Sequence, residues 1–146
     1  MTENQPEHKI NQHVRNGVII LSLGLVIFLI GIHPALFGLD RSPVIGFVQI
    51  AVFLIGLAGI CLGGYMCLNS LWNGKQRSIV ADIGFRLICT GYVVAVLSGM
   101  ADVFGIGSHH FPEIPYFGTA QAIGVILGQV TILAGIIMMI PYPKKN

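Results

Sequence analysis

Charge is what this sequence is short of. Only 10% of its residues are Asp, Glu, Lys or Arg, against ~25% in an average soluble chain. Eight basic and six acidic side chains cannot clothe a 146-residue domain in a polar shell. A water-soluble fold is excluded on that ground, and lipid becomes the expected solvent for most of the surface. With a net charge of +2 and no Lys/Arg-rich run, nothing suggests a nucleic-acid partner.

Catalytic patterns are missing as well. There is no GxxxxGK[ST] and no GxSxG, and GIGSHH follows no strand, so it makes no nucleotide loop. Cys61, Cys67 and Cys89 all fall in apolar stretches. They form no CxxC pair, and an odd number cannot close a disulfide framework; they read as small packing residues. No acidic residue lies near the middle of an apolar run, where a proton-coupled transporter would need one. His33 is the one histidine inside such a run, too few for haem held between helices. The expectation is a protein that is not an enzyme and has no cofactor. No A-x-A site follows the first apolar run, so the first span is expected to act as an uncleaved signal anchor.

Long apolar runs are what the chain has instead: hydrophobic residues make up 54% of it. Crossing ~30 Å of hydrocarbon takes ~20 predominantly apolar residues. Four segments qualify, at residues 17–37, 44–71, 79–104 and 119–140. They are apolar throughout rather than alternating, which excludes barrel strands. The connections suit turns: LDRSP with Pro43 opening the second span, Asn73-Gly74 after it, and a Gly- and Pro-containing loop before the fourth. The fold class is therefore an all-α integral membrane protein, a four-transmembrane-helix bundle. A polar tail, residues 1–16, precedes it, and residues 141–146 follow it.

Basic residues set the orientation. Lys9, Arg15, Lys75, Arg77, Lys144 and Lys145 all fall on one side of a four-span path, and only Arg41, beside Asp40, falls on the other. Both termini are thus expected on the cytoplasmic side of a plasma (inner) membrane.

Small residues recur along every span. Gly17, Gly24, Gly31 and Gly38 stand seven apart; Gly56, Gly59 and Gly63 mark the second span; Gly91, Ala95 and Gly99 the third; Ala120, Gly124 and Gly128 the fourth. Such stripes let helix backbones approach closely. Gly24, Gly31, Gly59, Gly63, Gly91, Ala95, Gly99, Gly124 and Gly128 are the expected packing residues of a left-handed bundle. Thr90, Tyr92 and Gln129 are expected to hydrogen-bond between helices.

Two polar groups are candidate sites. Asp82 and Arg86 are four residues apart on the third span, suited to an ion pair or to an anionic lipid headgroup with Lys75 and Arg77. At the opposite end, His33, Asp102, His109, His110 and Glu113 converge from three parts of the chain, near Gln49 and Gln121. Imidazole and carboxylate suit a transition metal such as Zn, Cu or Fe, but no HxH, HxxxH or HExxH spacing aligns them. A hydrogen-bonded cap, a pH-sensitive surface or a partner-docking surface competes with that reading. The leading functional expectation is a non-enzymatic structural or accessory subunit that packs through its Gly-rich helix faces, in contact with membrane lipids and assembling as a homo-oligomer or within a larger complex. A metal-binding or redox-accessory protein and an oligomeric channel or small transporter are the alternatives.

Overall fold

The computed structural model describes residues 5–38, 46–72, 75–106 and 118–141. All of its regular structure is helical: α1 (Gln5–Ile32), a 3-10 turn (Pro34–Phe37), α2 (Phe47–Leu71), α3 (Ile79–Gly99) and α4 (Thr119–Met139). All four α-helices are long and apolar enough to cross a membrane.

Local chemistry sets their ends. Pro34 forces the residue before it out of the helical region, and His33 duly sits at φ −130°, ψ 71°. The first helix therefore stops at Ile32, short of the expected residue 37, and the chain continues through the 3-10 turn to Gly38 at φ 65°. Ser78 caps α3, its hydroxyl oxygen accepting from the Ala81 N–H at 3.1 Å. Beyond Gly99 the chain makes one more turn, closed by Gly105 at φ 71°. There the Ile106 N–H donates to the Ala101 carbonyl at 2.9 Å and the Gly105 N–H to that of Asp102 at 3.2 Å. This Schellman closure needs a left-handed residue, which only glycine supplies without strain.

The segment read as a polar tail is partly helix, since α1 begins at Gln5. Propagating a helix from a long apolar span adds a hydrogen bond per residue and needs no new nucleus. Pro6, with no N–H to lose, suits a first turn. The expected turns at Pro43 and Asn73-Gly74, and the tail beyond Pro141, lie outside the described residues.

The helices pair as two hairpins, α1 with α2 and α3 with α4. Within each, backbone meets backbone. A Cβ added at Gly24 would sit 2.6 Å from the Gly59 carbonyl carbon, and one at Gly91 would sit 2.6 Å from the Gly128 carbonyl oxygen. Larger residues are shut out of both seams. Between hairpins the contact is made by side chains: Leu54, Leu57 and Cys61 of α2 share a core with Ile88 and Ala95 of α3 and with Ile132 and Met139 of α4. Helix α1 lies at the edge of that core, against which it packs Phe28. Among its described residues only Gly17, Gly24 and Gly31 are buried.

The two hairpins are copies of one unit. Gly17, Gly24, Val26, Phe37 and Gly38 recur, at one constant spacing, as Gly84, Gly91, Val93, Phe104 and Gly105. Pro43, Gly46, Gln49, Gly56, Ile60, Gly63 and Met66 recur, at a slightly larger constant spacing, as Pro115, Gly118, Gln121, Gly128, Ile132, Gly135 and Met138. The spacing grows because the second copy has the longer connection, the one that carries His109 and His110. Packing repeats with the residues: Gly17 lies against Met66 and Cys67, and Gly84 against Met138 and Met139. Both copies run in the same sense, so an axis along the bundle relates them, as in parallel-repeat membrane folds.

Candidate functional site: a cleft between the hairpins

Where the hairpins meet near the end that holds His33 and Asp102, they leave a partly open cleft of about 270 Å³. Its walls come from equivalent positions of the two copies, Ile50 facing with Ala122 and Phe53 with Val125. Phe53 is braced by Phe28 of α1, the ring centroids 4.9 Å apart and tilted 33°. Two carboxamides, Gln49 from the first turn of α2 and Gln129 from the middle of α4, interrupt an otherwise apolar lining. Among the described residues no lining side chain is charged.

Comparison of the copies shows what is unusual about these glutamines. Gln121, the counterpart of Gln49, is buried, and its Oε1 accepts from the Gly118 N–H at 2.8 Å, closing the start of α4. Gln49 does not do this for Gly46, whose helix start has no side-chain cap, and it lines the cleft instead. Gln129 stands where the first copy has Leu57, a core residue only 4% exposed. Neither Gln49 nor Gln129 has a side-chain hydrogen bond to another described residue. An apolar cleft with two amides that have no partner among the described residues can accommodate a neutral guest that brings acceptors or donors of its own.

A second cleft, about 220 Å³, lies between α2 and α3 and is lined by Cys61, Tyr65, Phe85, Cys89 and Tyr92. The Tyr92 hydroxyl donates to the Leu54 carbonyl at 3.5 Å, so it does bridge helices. Thr90 does not. Its hydroxyl turns back to the Arg86 carbonyl of its own helix at 2.9 Å. The Cys67 thiol reaches the Val14 carbonyl at 3.8 Å, and all three cysteines are free.

Asp82 and Arg86 form the expected pair, 3.2 Å apart and both exposed. Asp82 lies in the first turn of α3, where a carboxylate complements the helix dipole. Nearby, Arg77 stacks over the Tyr65 ring at 5.8 Å, and the Trp72 indole N–H donates to the Met139 carbonyl at 3.1 Å, linking the hairpins at this end.

Of the five candidate metal ligands, His33 is exposed and Asp102 is half-buried, with one carboxylate oxygen, Oδ1, shut off from solvent and without a partner among the described residues. His109, His110 and Glu113 lie outside the described residues. Among the described residues no three His, Cys, Asp or Glu side chains are grouped to hold a metal ion.

The packing stripes run differently from the four-residue spacing expected on α3 and α4. Gly24, Gly31, Gly59 and Gly63 line the first seam together with Gly17 and Gly56. The second seam uses Gly84, Gly91, Ala95 and Ser98 of α3 against Gly124, Gly128 and Gly135 of α4. Gly99 faces Ile50 and Leu54 of α2 and Val125 at ordinary contact distance, and Ala120 is exposed. Sevens follow the repeat of a packed helix pair more closely than fours, because 3.5 residues per turn keep a seam on its partner.

Compared with known protein families, curated proteins and solved structures, the chain matches none.

Proposed function

We propose that this chain is a non-enzymatic accessory protein of the plasma (inner) membrane, spanning it four times with both termini cytoplasmic. One observation carries the proposal. Large apolar side chains on all four helices face outward, among them Leu23, Ile55, Leu62, Leu97, Leu127 and Leu133, while the buried seams are lined with glycine. Water would penalise that arrangement along its whole length, and hydrocarbon does not. Association with a second copy or a larger complex uses these outward side chains and not the expected glycine faces, because the glycine stripes are already occupied by helices of the same chain.

The test has two parts. Cell membranes washed with alkaline carbonate should retain the protein, and reporter fusions at either terminus should report cytoplasm. Purification in mild detergent should then yield a dimer, a larger assembly or a stable membrane partner. Release by carbonate ends the membrane reading, and a monomer without partners ends the subunit reading.

A further inference from the structure

Gln129 has no architectural reason to be polar. The first hairpin builds the same helix with Leu57 at that position and buries it in the core. Gln129 is the eleventh residue of the 21-residue α4, about 15 Å from either end. On the membrane reading, on which this inference rests, it lies at hydrocarbon depth, where a carboxamide without a partner costs several kcal/mol. Gln49, across the same cleft, is diverted from the capping role its counterpart Gln121 performs. Two amides drawn from two hairpins, each departing from its own repeat, point to something between them.

We propose that the cleft between Gln49 and Gln129 binds the ring of a prenylated quinone, whose carbonyl oxygens accept from the two carboxamide NH₂ groups. Four features select that chemistry. The lining formed by the described residues is neutral, which disfavours a fatty-acid carboxylate or a phosphate. The volume of about 270 Å³ takes one substituted ring and falls below the ~300–1,000 Å³ of pockets that enclose a drug-sized ligand. Phe53, held against Phe28, supplies an aromatic wall. The cleft is partly open and its lining includes the exposed Ile32 and Ile126, so on this reading a long apolar tail has a way out into lipid. Lipid ester carbonyls lie at the headgroup interface, too shallow to reach Gln129. A partner helix would need a groove along the bundle, whereas the stretch of α4 from Ala122 to Gln129 that lines the cleft covers about 10 Å.

The experiment is a titration of decyl-ubiquinone into the full chain in phosphatidylcholine nanodiscs, with protein-free nanodiscs as the partition control. Saturable binding near one quinone per chain is expected. Gln129→Leu and Gln49→Leu should each weaken it roughly tenfold, the value of one hydrogen bond made away from water. Ala122→Phe should abolish it by filling the cleft. Helicity and thermal midpoint should hold in Gln129→Leu, since the sister hairpin folds with leucine there. Uptake no greater than in protein-free nanodiscs overturns the proposal. So does binding indifferent to both glutamine changes and to Ala122→Phe, or displacement by dioleoylglycerol as effective as by quinone. A chain that never enters nanodiscs overturns this proposal and the membrane reading together; an inserted chain that fails to bind overturns this one alone.

Discussion

At Gly91 the neighbouring surface is the Gly128 carbonyl, and backbone cannot move aside as a flexible side chain can. Gly91→Ala should therefore destabilise the protein by about 1–3 kcal/mol, as overpacking does. Gly99→Ala should be near neutral, because its new Cβ would meet nothing nearer than the Ile50 Cγ2 at 3.4 Å. Thermal unfolding in one detergent compares the two; equal losses would show that helical position, not the seam, sets the cost. At this scale the sequence was legible in kind and imprecise in place. Fours and sevens both keep residues on one helical face, so the small-residue pattern alone could not choose between Gly99 and Ser98 as seam residues. Thr90 was misassigned because a hydroxyl on a helix finds its own chain's carbonyl sooner than another helix.

Helices are the most readable level of this chain, since ~20 apolar residues in a row have few other uses. Hydropathy carries on through Pro34, which is why the first span was read too long; backbone sterics end the helix there. The cleft was not legible at all, because it forms only where two hairpins meet and no local pattern records that. A signal did exist in the duplication, which sets Gln129 against Leu57 and Gln49 against Gln121. Hairpin-to-hairpin contact depends on side chains, and the Trp72 indole is its one short hydrogen bond among the described residues. Trp72→Phe leaves the Met139 carbonyl without that donor, at a cost of about 1–3 kcal/mol. If the chain is expressed as two halves divided at Asn73-Gly74, the halves should co-purify, and Trp72→Phe should reduce the recovered partner several-fold. Unchanged recovery would mean that the apolar core alone holds the hairpins together.

For the molecule as a whole, duplication in one sense means that each hairpin has its own orientation signal: Lys9 and Arg15 before the first, Lys75 and Arg77 before the second. The signals are redundant. On the proposed topology, replacing Lys75 and Arg77 with glutamine should leave both termini cytoplasmic, as read by terminal reporter fusions. Removing Lys9 and Arg15 as well should give mixed orientation. Inversion by the first pair of changes would mean that the second hairpin alone directs insertion.

Gln49 has two possible employments, and it cannot hold both. Facing the cleft, it leaves the Gly46 amide without the partner that Gln121 gives Gly118. The first turn of α2 is therefore wound with one side-chain hydrogen bond fewer than the first turn of α4. Of the two equivalent helix starts, that of α2 should therefore fray first, which amide exchange at the two ends would read.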